Sequence, residues 1–156
     1  MSNPVRCWAP KGVRPLVPAQ RVRECLYVYS AACPSDGENF SLILPTCNSK
    51  SMELFLDEFS SHYRDYHAVM IMDRASWHPS KTCDRWNNIR FIRQPARSPE
   101  LNPVEHLWEY LRENYFHNRI FDSIDDVENE LCLTLSQLHH DKDTVRSFTG
   151  FHWAIL

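Results

Sequence analysis

The strongest constraint on the fold is the short apolar run at residues 67–72, which ends abruptly at an acid, Asp73. Its length and its polar boundary are typical of a β-strand that is buried on both faces. An amphipathic helix pattern precedes this run, with apolar side chains at helical spacing at Met52, Phe55, Leu56, Phe59 and Tyr63. A helix that leads into a buried strand indicates a crossover connection.

Two more strands are predicted before that helix. Residues 21–31 are rich in Val, Tyr and Leu, and residues 40–44 are a second segment of this kind. The turn-forming residues 34–37 lie between them, so the pair is predicted to be an antiparallel hairpin. With the crossover, this makes the chain α/β with a mixed sheet.

The second half of the sequence is predicted to form one short strand and two helices. Residues 88–92 form the strand, and the next helix begins with Asn102 as its N-cap and Pro103 in its first position. The last helix begins at Ser123, with Asp126 completing a capping box. Residues 1–121 are predicted to form the main domain, and residues 122–156 its C-terminal helix and tail. The predicted apolar faces of the two helices are Val104, Leu107, Trp108, Leu111 and Tyr115, and Val127, Leu131, Leu135 and Leu138.

Charge is segregated along the chain although the net charge is only −3. Residues 122–143 hold seven acids and one lysine. Residues 74–97 hold six basic side chains and one acid, which favours a face that binds a polyanion such as DNA. The same segregation is equally compatible with two solvated surfaces. The candidate DNA-binding residues are Arg74, Lys81, Arg85, Arg90, Arg93 and Arg97.

The cysteines and the absence of long apolar runs indicate a soluble protein of the cytoplasm. The six cysteines include no C-x-x-C pair, so reduced thiols are expected rather than a zinc ribbon or a disulfide framework. Residues 1–13 contain no apolar run. The longest fully apolar stretch of the whole sequence, residues 68–72, is too short to cross a bilayer. No membrane partner is therefore expected.

Two acids stand at positions where chemistry is common in α/β proteins. Asp73 follows the most buried predicted strand, and Glu105 lies in the first turn of the helix after the proline-rich loop. Each also has an ordinary structural interpretation. Asp73 suits a turn, and Glu105 suits a capping arrangement with Asn102. On these features alone the structural roles are the commoner ones.

Two longer motifs favour the catalytic interpretation. Residues 69–78, VMIMDRASWH, and residues 93–108, which include SPELNPVEHLW, resemble the two acid-bearing blocks of DDE transposases. The order of the blocks is that of the bacterial insertion-sequence group of the mariner superfamily. Residues 8–12, WAPKG, resemble an element on the early strands of the same family.

The resemblance implies a ribonuclease-H-like fold and phosphoryl transfer on DNA with two Mg²⁺ or Mn²⁺ ions. Asp73 matches the family's second acid and Glu105 its third, so both are expected to be catalytic metal ligands. His78 matches a recurrent histidine whose role stays unassigned. DNA, namely transposon ends and target, is the implied partner, together with an upstream transposase fragment or a second copy of the chain.

The family's first aspartate has no match in the sequence. It lies upstream of the WAPKG element, where this sequence has seven residues and none of them acidic. We therefore expect a catalytic domain without its first strand and first acid, inactive alone, with Glu24 the first substitute to consider. One alternative is a non-catalytic remnant or regulatory module that binds DNA or a full-length transposase. A mononuclear metallohydrolase site at Asp73, His78 and His106 is a third, which no metal-binding spacing supports.

Overall fold

The computed structural model describes residues 8–14, 24–75, 85–96, 98–117 and 119–155. These residues form four strands and four α-helices, so the predicted α/β class is confirmed. The strands are β1 (Tyr27–Ala32), β2 (Asn39–Leu44), β3 (Ala68–Met72) and β4 (Ile89–Arg93). The helices are α1 (Ser49–His62), α2 (Val104–Leu111), α3 (Ile124–His140) and α4 (Lys142–Thr149). A 3₁₀ turn, Pro99–Leu101, precedes α2, and a π-helical segment, Arg112–Phe116, follows it.

The predicted hairpin is confirmed. Strands β1 and β2 pair antiparallel, with Tyr27 opposite Leu44 and Ala32 opposite Asn39. The reversal depends on Gly37, whose φ of 77° lies in the left-handed region that glycine favours. The first strand begins at Tyr27, later than predicted, and part of its predicted range, residues 21–23, lies outside the described residues.

The prediction of one mixed sheet differs from the structure. Among the described residues, β1 and β2 form one two-stranded sheet, while β3 and β4 form a second, parallel one. Both types of pairing occur, but on separate sheets. The connection between β3 and β4 runs partly through residues 76–84, which the structure does not describe.

The prediction that β3 is buried on both faces was wrong. Its side chains alternate between partly buried Ala68 and Met70 and exposed Val69 and Ile71. Val69 is 61% exposed and Ile71 is 52% exposed. An apolar strand sequence cannot distinguish a second buried face from an exposed apolar one, because the side chains are the same in both cases.

Helix α1 joins the two sheets through one core. Its buried residues Met52, Phe55, Leu56 and Phe59 confirm the predicted apolar face. They pack with Tyr29 of the hairpin and with Ile89 of β4. A second core, built on Leu107, Leu111, Leu135, Leu138 and Val145, brings α2, α3 and α4 onto the opposite face of the hairpin. The hairpin thus has helices on both faces.

The C-terminal region contains one helix more than predicted. Helix α3 begins with the predicted capping box, since the Ser123 Oγ accepts from the Asp126 N–H and the Asp126 carboxylate accepts from the Ser123 N–H. The chain then continues into α4, for which Asp141 is the N-cap. Helix α4 has eight residues and buries only Val145 and Thr149, too few for a periodic apolar pattern to reveal it.

Candidate functional site

Asp73 lies at the carboxyl end of β3. Because β3 and β4 run parallel, the residues that follow them, Asp73 and Gln94, leave the sheet at the same edge. The Asp73 side chain is exposed, and its Oδ1 accepts a hydrogen bond of 2.9 Å from the Ala75 N–H. This bond forms a local turn, which is the ordinary structural interpretation of Asp73, and the residue stays exposed at the edge of the sheet.

Glu105 occupies the first turn of α2, as predicted. Pro103 has helical backbone angles, and the Asn102 Oδ1 accepts from the Val104 N–H at 3.3 Å. Asn102 therefore caps this helix, and the assigned first residue, Val104, differs from the predicted start by one position. The Asn102 N–H donates to the Pro99 carbonyl at 2.9 Å, so it is not capped by Glu105. The exposed Glu105 carboxylate makes no hydrogen bond or ion pair with the described residues.

Both acids line one cleft of about 330 Å³ although 31 residues separate them in the sequence. The other lining residues are Arg74, Ala75, Gln94, Pro95, Ala96, Ser98, Pro99 and Asn102. The cleft lies between the end of the parallel sheet and the start of α2. Asp73, Arg74 and Glu105 were singled out from the sequence, whereas Gln94 was missed because it carries no charge, although it lies within residues 93–108, the block that resembles the DDE family.

The potential metal ligands in the cleft are the carboxylate oxygens of Asp73 and Glu105, which suit Mg²⁺ or Mn²⁺ rather than zinc. Among the described residues, no group of three or more His, Cys, Asp or Glu side chains is arranged to hold a metal ion. A metal ion held by Asp73 and Glu105 alone would need water or substrate oxygens as its remaining ligands. A divalent ion therefore fits the chemistry of the two acids, but this site supplies few ligands of its own.

The candidate DNA-binding residues do not form one uniform surface. Arg85 is bound to α1, where its guanidinium pairs with Glu53 at 3.1 Å and Asp57 at 2.6 Å. The Arg74 Nε donates to the Gln94 carbonyl at 3.1 Å. Arg90 and Arg93 are exposed on β4. Lys81 and Arg97 lie outside the described residues, as does His78.

Comparison with known proteins identifies the family. The model of the DDE superfamily endonucleases matches residues 2–128, and the chain belongs to this family. This confirms the resemblance that SPELNPVEHLW and VMIMDRASWH indicated. No solved structure matches the chain. None of the helices within the described part of the chain is long and apolar enough to cross a membrane.

Three relatives were found, and two of them are named as proteins of a transposable element or an insertion element. The uncharacterized protein y4pE/y4sA of Sinorhizobium fredii is 36% identical over 129 residues, covering 82% of this chain and 96% of the relative. The Tcb2 transposase of Caenorhabditis briggsae is 32% identical over 68 residues, covering 38% of this chain and 25% of that transposase. An uncharacterized 39 kDa protein of insertion element IS630 of Shigella sonnei is 31% identical over 111 residues, covering 66% of this chain and 30% of that protein. The chain thus spans under a third of the last two proteins.

Proposed function

We propose that this chain provides part of the catalytic core of an insertion-sequence transposase, with a ribonuclease-H-like arrangement around Asp73 and Glu105. The observation that carries the proposal is that these two acids, far apart in the sequence, line the same cleft. The parallel pair β3 and β4 supports it, because the two acid-bearing segments meet at one sheet edge. The capping interpretation of Glu105 finds no support, because its carboxylate makes no hydrogen bond with the described residues.

Asp73 and Glu105 would hold a divalent ion between the end of β3 and the start of α2. Bound Mg²⁺ or Mn²⁺ polarises a scissile phosphate and lowers the pKa of an attacking water. Arg74 reaches the same cleft, and its terminal N–H groups make no hydrogen bond with the described residues. A guanidinium in this cleft is suited to bind a DNA phosphate.

The first test is metal binding. Titration of the full 156-residue chain with Mn²⁺, followed by the electron paramagnetic resonance signal of the free ion, should show weak binding. Asp73→Asn and Glu105→Gln should each weaken it about tenfold or more, because each removes a charged ligand. Glu109→Gln is the matched control, since Glu109 lies one turn further along α2 and outside the cleft. Equal affinity in all four proteins would contradict the proposal.

The second test measures whether Mn²⁺ binding and DNA binding strengthen each other. A phosphate in the cleft would supply further oxygen ligands, so duplex DNA should strengthen Mn²⁺ binding, and Mn²⁺ should strengthen DNA binding by the same factor. Both effects should disappear in Asp73→Asn and Glu105→Gln. DNA binding that is independent of Mn²⁺ and of these two acids would instead support the non-catalytic DNA-binding module.

Strand cleavage by this chain alone is expected to be undetectable. Two divalent ions would bring four positive charges, and the carboxylates of Asp73 and Glu105 offset only two of them. Active-site groups that act as a unit lose most of their activity when one member is absent. The measurement is a nicking assay on inverted-repeat DNA with Mg²⁺ or Mn²⁺. Robust cleavage that Glu24→Gln abolishes would show that Glu24 supplies the third acid.

A further inference from the structure

Gln94 is a buried polar residue at the junction of the two acid-bearing segments. It directly follows β4, is only 5% exposed, and lines the cleft that contains Asp73 and Glu105. A buried amide is costly unless its hydrogen bonds are made, so its partners show which segments it links.

Its backbone holds the segment on both sides of Asp73. The Gln94 N–H donates to the carbonyl of Met72 at 2.9 Å. The Gln94 carbonyl accepts from the Arg74 Nε at 3.1 Å. Met72 and Arg74 are the two sequence neighbours of Asp73, so these bonds restrict where the Asp73 carboxylate can lie.

Its side chain holds the segment that leads to Glu105. The Gln94 Nε2 donates to the Leu101 carbonyl at 2.5 Å. Leu101 ends the 3₁₀ turn, and the chain then enters α2, where Glu105 lies four residues further on. One buried side chain thus connects the proline-rich loop to the edge of the parallel sheet.

We propose that Gln94 is a positioning residue that sets the spacing between the Asp73 and Glu105 carboxylates. This inference rests on the proposed metal site. Metal ligands must lie within a few tenths of an ångström of their required distance, and loss of a residue that orients a ligand typically weakens metal binding 10- to 100-fold. Without the side-chain donor, the Leu101 carbonyl loses its bond to the sheet edge, and the loop before α2 is free to shift.

The variant that tests the proposal is Gln94→Met, which keeps the length of the side chain and removes its donor. Asn39→Leu is the matched control. Asn39 is 4% exposed, and its Nδ2 donates to the Leu138 carbonyl at 2.9 Å, linking the hairpin to α3 outside the cleft. Both variants remove an amide-to-carbonyl bond from a buried site, so both should lower the melting temperature by a similar amount.

Mn²⁺ affinity separates positioning from simple stabilisation. Measured well below both melting temperatures, it should fall about tenfold in Gln94→Met and stay unchanged in Asn39→Leu. In an Asp73→Asn background, Gln94→Met should have little further effect, because only one of the two carboxylates remains to be positioned. Gln94→Asn keeps an amide, but its side chain is too short to reach the Leu101 carbonyl, so it should also weaken Mn²⁺ binding. This variant replaces Gln94→Met in the test if the methionine variant does not fold.

The outcomes are distinguishable. Unchanged Mn²⁺ affinity in Gln94→Met or Gln94→Asn, with weaker binding in Asp73→Asn and Glu105→Gln, would overturn the positioning role and leave the metal site standing. An equal loss of affinity in Asn39→Leu would also overturn it, because the effect would then be general destabilisation. Unchanged affinity in Asp73→Asn and Glu105→Gln would overturn the metal site, and the positioning role with it.

Discussion

At the scale of single residues, the structure separates basic side chains that the sequence groups together. Arg85 and Arg90 belong to the same basic stretch, but Arg85 is bound to two acids of α1 and lies over the Trp86 ring. Arg90 is exposed on β4 and makes no ion pair with the described residues. Sequence alone counts both as positive charge, because the acids that neutralise Arg85 lie about thirty residues away at Glu53 and Asp57.

These two arginines should respond differently to removal. Arg90→Ala should weaken DNA binding about equally for all sequences and reduce the slope of log affinity against log salt by about 1, as expected for one lost phosphate contact. Arg85→Ala should lower stability by about 1 kcal/mol through its lost hydrogen bonds, with a smaller effect on DNA binding. Fluorescence anisotropy at several salt concentrations and thermal unfolding measure the two effects. A larger loss of DNA affinity in Arg85→Ala than in Arg90→Ala would contradict this division.

At the scale of helices and strands, local patterns were predictable and long-range ones were not. The apolar spacing of α1 and the capping box of α3 each depend on residues that lie close together in the sequence, and both were predicted. No local pattern indicated that Asp73 and Glu105 line one cleft; only the resemblance to the DDE family, which implies that both acids are metal ligands, pointed to it. The link through Gln94 could not be predicted, because an uncharged residue becomes informative only when its partners in space are known.

The hairpin turn should be intolerant of substitution. Gly37 has a positive φ, and a Cβ placed there would overlap the backbone of Lys142 at the start of α4. Gly37→Ala should therefore destabilise the chain by about 2 kcal/mol or more, since strain and overlap add. Chemical denaturation measures this effect. Gly12→Ala is the control, because Gly12 also has a positive φ but has open space around it and should cost less.

The contact between the hairpin and α4 should depend on pH. The Lys142 ammonium, which donates to the Glu38 carboxylate, holds the pKa of Glu38 below its ordinary value of 4.5. A lowered pKa in the folded state means that this stabilisation is complete above pH 4.5 and is lost as the pH falls below it. Glu38→Gln should thus be less stable than the wild type at pH 7 and approach it in acid. A stability difference that stays constant from pH 7 to pH 3 would contradict this assignment.

At the scale of the whole molecule, the two sheets are covered differently. The hairpin contacts α1 on one face and the other three helices on the opposite face. The β3–β4 sheet packs on α1 through Ile89, whereas Val69, Ile71 and Ile92 on its other face are each more than half exposed. The sequence predicted β3 alone to be buried on both faces, because Val69 and Ile71 are residues typical of a core.

The isolated chain should therefore self-associate through the exposed face of β3 and β4. Ile71 and Ile92 are direct cross-strand partners, and Val69 lies two residues along the same face beside its own partner Arg90, so the patch is apolar except for one arginine at its edge. Contiguous exposed apolar surface beside open strand edges favours association. Sedimentation velocity should show a mean mass that rises with protein concentration, and Ile71→Lys should suppress that rise without lowering the melting temperature. Leu133→Lys is the matched control, because Leu133 is 64% exposed on α3 with polar residues one turn away on either side. If both variants reduced association equally, general surface hydrophobicity rather than this sheet face would be its cause.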